Sequence, residues 1–245
     1  MWVSGGVLCM ASGTVRNTLQ RQRAGILISA GSFSPPTLMH LVALEQAREY
    51  VETTFHEQVW KGFLSPVHDA YGKPGLVAAT HRLQMCSLAV QNSDWLYVDA
   101  WEAQQAAYTP TFRVVQRLRE RLEAERRPDD PELSFYFVCG ADLVASMDSP
   151  KVWPAEHLQK LFALCRVLAL PRPTLGSEEE APLARVLRRF PDSIFLWREA
   201  PVQCSISSTL IRKRITQGRS VRYLIPRPVE EYIQEQGLYR DNDDE

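Results

Sequence analysis

Thr37 and His40 lie three residues apart in ILISAGSFSPPTLMH, residues 26–40, so a helix opening at Thr37 turns both toward one spot. A histidine in the first turn of such a helix can donate to a phosphoryl oxygen and stabilise charge developing there. That chemistry needs a helix, and the neighbouring residues supply one. Ile26, Leu27 and Ile28 read as a short apolar strand of the kind buried on both faces of a parallel sheet. Gly31 and Ser32 then make a turn, Phe33 is a bulky apolar anchor, and Pro35 and Pro36 stiffen the exit. From Thr37 onward Leu38, Leu41 and Leu44 recur at the spacing of one apolar helix face. A strand, turn and helix in this order aim the helix's unpaired N–H groups and positive dipole end at the strand tip, which makes an anion site. Alone, His40 would read as a packed helix residue; here the phosphate reading is the stronger one.

ISSTLIRKR, residues 206–214, reads as a second phosphate site. Ser207 or Ser208 reads as an N-cap, Thr209 sits in the first turn, and Arg212 can grip a phosphate in bidentate fashion. The competing reading is a solvated surface, or RNA contact through Arg212, Lys213, Arg214 and Arg219.

Between these two stretches, three predicted strands each end in residues that could do chemistry. After Val59–Leu64 comes SPVHDAYGKPG, a loop with His68, Asp69, Tyr71 and Lys73 at the sheet edge where ligands bind. Asp99, Trp101 and Glu102 follow Trp95–Val98. Trp101 is either core or a plate for a flat ring, and a pyridinium would add cation–π attraction. Gly140 and Asp142 follow Phe135–Cys139, where glycine permits close backbone approach and a carboxylate can accept from ribose hydroxyls.

GSFSPPTLMH resembles the signature of the nucleotidylyltransferase superfamily, and within it that of the eukaryotic nicotinamide mononucleotide (NMN) adenylyltransferases. Thr37 stands where much of the superfamily carries a first histidine, and Met39 where it carries glycine. That departure fits the eukaryotic NMN branch and not the pantetheine-phosphate or cytidylyl branches. ISSTLIR is similar to the family's ISSTxIR, which implies Ser208, Thr209, Leu210, Ile211 and Arg212 around a triphosphate. SPVHDAYGK resembles the nucleotide-contacting loop, implying a phosphate contact for Lys73 and a wall for Tyr71, with Pro74 in place of a second lysine. VDAWE resembles VDxWE, which implies that Trp101 stacks on nicotinamide, with Thr111 near the same ring. CGADL matches the element whose Gly140 and Asp142 meet the nucleotides, and MDSPKVW resembles a second wall made by Val152 and Trp153. The likeness runs from Ala24 to Tyr239 with the motifs in family order; between Glu199 and Ser205 the spacing differs and nothing is carried over.

The resemblance implies an α/β fold, a Rossmann-like open parallel sheet with helices on both faces in a single domain, over residues 24–240. It implies transfer of AMP from ATP to NMN, and to nicotinic acid mononucleotide as a second substrate, giving NAD or deamido-NAD and pyrophosphate. The displacement would be direct and in line, without a covalent intermediate. His40 and Arg212 are the implied catalytic residues: His40 at the α/β-phosphate oxygens, with Gly31, Ser32 and Thr37 in the same cradle, and Thr209 with Arg212 at the β/γ end. Mg²⁺ or another divalent cation would bridge the phosphates, with no metal ligand from the protein. The chain has neither a P-loop nor a GxGxxG signature.

Length and composition agree. At 245 residues, 45% hydrophobic and 23% charged, the chain can bury one sizeable core. A net charge of −1 gives no global field for nucleic acid, and no apolar run is long enough to span a bilayer. Five scattered cysteines without metal-ligand spacing suit a reducing, intracellular setting, cytoplasm or nucleus. A homo-oligomer is the expected assembly. A client-protecting, chaperone-like role is the rival from another class, and no sequence feature favours it.

Residues 1–23 carry Arg16, Arg21 and Arg23 and no acidic residue, the composition of a mitochondrial transit peptide or, on the plainer reading, of a disordered tail or an upstream start. Residues 241–245 read as a frayed acidic tail. Elsewhere Ala78–Val90 reads as an amphipathic helix with His81 and Arg82 at its surface or cap, and Leu161–Leu170 as a buried strand. Pro171–Glu180 reads as a loop whose Glu178–Glu180 run is solvated, before a helix over Ala181–Phe190 and a strand over Ile194–Trp197.

Overall fold

Ile26, Leu27 and Ile28 are each at most 1% exposed, because their strand runs through the middle of a sheet covered on both faces. The computed structural model describes residues 23–171 and 177–240. The expected leader (all but Arg23), residues 172–176 of the expected loop and the acidic tail lie outside the described residues. Six parallel strands form one sheet among the described residues, in the order β3-β2-β1-β4-β5-β6. They are β1 (Arg23–Gly31), β2 (Gln58–Pro66), β3 (Leu96–Val98), β4 (Glu132–Gly140), β5 (Arg166–Leu170) and β6 (Ile194–Leu196). The winding reverses between β1 and β4, and a doubly wound sheet opens its ligand crevice at the carboxyl ends of those two strands.

Alternation along the strands splits the core in two. Ile26, Ile28, Phe135 and Phe137 face α3 (Thr111–Glu125), α4 (Ala141–Ser146), α5 (Ala155–Leu164) and α6 (Ser177–Arg189). Leu27, Tyr136 and Val138 face α1 (Leu38–Tyr50) and α2 (Ala79–Val90). Each such buried aliphatic or aromatic side chain contributes roughly 1.5–3 kcal/mol. A third cluster joins α2 to α7 (Ser208–Thr216) and α8 (Arg227–Gln236) through Met85, Ile211, Val229 and Ile233. It holds α7 against α2 and α8.

Three sequence readings need correction here. Leu161–Leu164 belong to α5, not to a strand: Leu158 and Leu161 are buried at helical spacing, and the Cys165 N–H closes the helix on Leu161 O at 3.0 Å. An unbroken apolar run does not reveal where helix stops and strand begins. The helix expected from Ala181 starts at Ser177, and Glu178–Glu180 form its first turn, where carboxylates complement the dipole. Arg23, assigned to the leader, opens β1, in register with Glu132. Among the described residues no helix is long and apolar enough to cross a membrane.

Candidate active site

The turn after β1 is shaped by packing. Phe33 takes a left-handed backbone (φ 45°) and is 1% exposed, its ring edge-on to His40 with centroids 5.1 Å apart. The Ser34–Pro35 peptide is cis. Thr37 caps α1, and its backbone N–H donates to Nδ1 of His40 at 2.9 Å, with the Thr37 hydroxyl 2.8 Å from the same nitrogen. Because Nδ1 accepts from an N–H, the proton of the neutral ring is assigned to Nε2. Leu224 O accepts the Leu38 N–H at 3.0 Å, so this helix opening offers fewer bare N–H groups than its sequence suggests.

At the other opening Ser207 is the cap, accepting the Leu210 N–H at 3.2 Å. Ser208 Oγ donates to Pro35 O at 2.8 Å and ties the two helix openings together. Both face one cavity of about 550 Å³ above the β1/β4 switch point. Its lining includes Gly31, Ser32, Thr37, His40, Lys73, Gly140, Asp142, Ser208 and Thr209. Tyr71, Thr111, Val152 and Trp153 also line it. Asp142 lies just beyond Gly140, where β4 ends, and Trp153 Nε1 donates to Ser146 Oγ at 3.0 Å.

Four expected site residues do not reach the lining. Trp101 packs beside α3 instead, with the Arg117 guanidinium 5.6 Å from its ring centroid. Tyr108 takes the wall position and stacks on Tyr71, with centroids 6.1 Å apart and planes 24° from parallel. Leu210 and Ile211 lie away from the cavity, and Ile211 is fully buried in the third cluster. The helical turn that points Thr209 at the cavity sends Arg212 back among the loops. Arg212 is 7% exposed and donates to Ser34 O at 3.1 Å and Pro74 O at 3.2 Å, so it braces the loops after β1 and β2.

Arg82, expected at the surface, is fully buried. It donates to Val77 O at 2.8 Å, Ser32 O at 3.1 Å and Val67 O at 2.7 Å, and pairs with Asp69 Oδ1 at 2.7 Å. Burial raises the Asp69 carboxyl, but the Arg82 contact, the Ala79 N–H and the His68 charge together outweigh it and the net shift is downward. Both turns of the site therefore hang on one guanidinium fork. His81 bonds Tyr232 OH at 2.9 Å.

Sequence reasoning named Glu102 only as a strand-exit residue and missed His157 and Glu179; all three line the cavity. Glu179 was expected to be only solvated; it lies in the first turn of α6. Glu102 is 2% exposed, and Ser65 Oγ donates to its Oε2 at 3.3 Å. Burial pushes its carboxyl up to about 8, against the Ser65 bond and the Arg82 charge. The one available signal for Tyr108 was an aromatic in a loop just ahead of a Pro-started helix, in AAYTPT.

A parallel sheet in this strand order, with two helix openings over its switch point, defines an α/β nucleotide-binding protein. Residues 28–214 match the family model described as cytidylyltransferase-like. A nicotinamide/nicotinic acid mononucleotide adenylyltransferase 1 of Bos taurus is 33% identical, with 90% of each chain covered. A nicotinamide/nicotinic acid mononucleotide adenylyltransferase of Arabidopsis thaliana is 36% identical, covering 87% of this chain and 89% of its own. The solved Plasmodium falciparum nicotinic acid mononucleotide adenylyltransferase, complexed with NaAD, has the same fold, with a TM-score of 0.62 at 21% identity over 89% of this chain and 98% of that one. The chain belongs to the cytidylyltransferase-like family of transferases, on its nicotinamide/nicotinic acid mononucleotide adenylyltransferase branch.

Proposed function

We propose that this protein transfers the adenylyl group of ATP to nicotinamide mononucleotide or nicotinic acid mononucleotide, releasing pyrophosphate and forming NAD or deamido-NAD. The observation that carries the reading is the pair of helix openings, at Thr37 and Ser207, tied together and lining one cavity. Two anions must meet in this reaction, and converging helix openings are suited to hold them. The names of the relatives support the same substrates.

A phosphate oxygen of the mononucleotide attacks the α-phosphorus, the new P–O bond forms, and the α–β bridging bond breaks as pyrophosphate leaves. That nucleophile is already ionised near neutral pH, so no general base is needed. The protein's contribution is alignment and charge neutralisation. In this reading Nε2–H of His40 donates to the α/β-phosphate oxygens, a role consistent with the tautomer its Thr37 contacts impose. Lys73 and the Ser208–Thr209 turn take the phosphates, Gly140 lets backbone approach, and Asp142 accepts from ribose hydroxyls. Tyr71, Tyr108 and Trp153, with Thr111 and Val152, form the slot for the pyridine ring. Arg212 acts as a positioning residue through Ser34 and Pro74. In this reading ATP would be taken as its Mg²⁺ complex, the cation supplying charge neutralisation at the phosphates.

Purified protein incubated with ATP, Mg²⁺ and each mononucleotide in turn should yield the dinucleotide and stoichiometric pyrophosphate. No product from either mononucleotide would overturn the proposal.

A further inference from the structure

We infer that Gln46 is a positioning residue for the ATP end of the site: its side-chain amide clamps the irregular chain between β6 and α7 and so sets where the opening of α7 stands. The inference rests on the adenylyl-transfer reading above, in which that opening takes the phosphates. Gln46 lies within α1 and is 4% exposed. Its Nε2 donates to Val202 O at 3.1 Å, and the Val202 N–H donates to its Oε1 at 2.7 Å. A backbone N–H can only donate and a carbonyl can only accept, so these partners fix which way the amide faces.

The two bonds are the pair that a neighbouring antiparallel strand would exchange with Val202. The segment needs such a partner, because residues 197–207 form neither helix nor strand. Gln203 donates to Arg198 O at 3.0 Å and to Ala200 O at 3.4 Å, contacts that stay inside the segment. Ala200 packs at one end among the core residues that face α1 and α2, and Ser208 meets Pro35 O at the other. Gln46 holds the stretch between them.

That stretch runs into the cavity. Cys204, Ile206 and Ser207 line it, and so do Met39 and Ala43 of α1. Met39, Ala43 and Gln46 recur at i, i+4 and i+7, so the helix face that lines the cavity carries the clamp one turn further on. Ser207 is the cap of α7. A segment free to drift would move that cap and the Ser208–Thr209 turn, and with them the phosphate contacts. The Tyr71–Tyr108 wall stands on other loops, those after β2 and β3. Loss of the clamp therefore separates the two substrates, weakening ATP and sparing the mononucleotide.

Val202 is 47% exposed, so water can satisfy its backbone once the amide is gone, and Gln46→Leu is expected to fold. The test is equilibrium titration with Mg²⁺-ATP, together with KM for each substrate. Gln46→Leu should weaken ATP binding and raise its KM about tenfold, with KM for the mononucleotide within about twofold of wild type. Gln46→Glu keeps an acceptor for the Val202 N–H and loses the donor. Its ATP affinity should lie between those of the wild type and the leucine variant, and it serves if the leucine variant does not fold. Amide exchange across residues 198–206 should quicken in either variant. Unchanged exchange, unchanged ATP affinity, or KM values for ATP and mononucleotide that rise by the same factor would each overturn the clamp alone. A wild type that binds no ATP would instead overturn the adenylyl-transfer reading, and this inference with it.

Discussion

The backbone N–H of Thr37 and the imidazole of His40 are joined across 2.9 Å, so the helix cap and the ring proton are set by the same contact. A histidine that caps its own helix cannot rotate without losing that cap. Nδ1 is occupied, the neutral ring carries its proton on Nε2, and Phe33 lies edge-on at 5.1 Å. The ring is pre-organised before any phosphate arrives.

His40→Ala is accordingly expected to lower kcat by about a hundredfold or more, with a much smaller change in KM for the mononucleotide. Thr37→Ala keeps the backbone bond to Nδ1 and loses the hydroxyl's contacts with the ring and with the first turn of α1, so its effect on kcat should be several-fold at most. Steady-state kinetics on both variants decide the point. Near-normal turnover in the alanine variant of His40 would remove the donor role.

The aromatic wall gives a second contrast. Tyr108 lines the cavity and stacks on Tyr71, whereas Trp101 packs beneath Arg117. Tyr108→Ala should raise KM for the mononucleotide roughly tenfold, in line with the loss of one stacking partner, and leave KM for ATP nearly unchanged. Trp101→Ala should cost some stability and little mononucleotide affinity. If the two variants exchange these effects, Trp101 is the plate for the ring and the wall assignment is reversed.

That contrast also marks the limit of sequence reading. The strand–turn–helix unit around His40 was legible because glycine, proline and a change of apolar period are local signals, and the opening of α7 because Ser207 and Ser208 read as N-caps. So was the α/β class, which follows from alternation along the chain. Direction was not legible. VDAWE marks a strand exit, but the 3₁₀ turn that follows rotates Trp101 toward α3 and brings Glu102 to the cavity. Arg212 is similar: its type suits phosphate, and its place on α7 turns it toward two carbonyls. Arg82 was misread because a charged residue on an amphipathic helix is ordinarily wet, and its acceptors come from loops distant in sequence.

Arg82 yields a prediction about stability. Its side chain is fully buried and meets three backbone carbonyls and Asp69. Arg82→Met keeps much of the volume and leaves those acceptors without a donor, at an expected cost of about 3 kcal/mol or more. Lysine presents one ammonium where the fork had separate N–H directions, so Arg82→Lys should recover only part of the loss. Urea denaturation monitored by fluorescence measures both. A cost for Arg82→Met within about 0.5 kcal/mol of wild type would mean that water can replace the fork.

Glu102 makes stability depend on pH in a direction opposite to that of a salt-bridged carboxylate. In the unfolded chain its carboxyl titrates at the ordinary 4.5; in the folded protein burial moves it to about 8. Between those values the folded state keeps a proton that the unfolded state has released, so raising the pH favours unfolding. The contribution is fully present below about pH 4.5, falls through the window, and stops changing above about pH 8. Each unit of pH inside the window weighs up to about 1.4 kcal/mol, a slope that solvent entering the cavity will reduce. Glu102→Gln has no proton to lose there. Its stability relative to wild type should therefore rise between pH 5 and pH 8 and then level off, in urea denaturation at matched ionic strength. A difference between the two proteins that stays constant over that range would mean that Glu102 ionises like an exposed carboxylate, and that its cavity is wet enough to carry the charge.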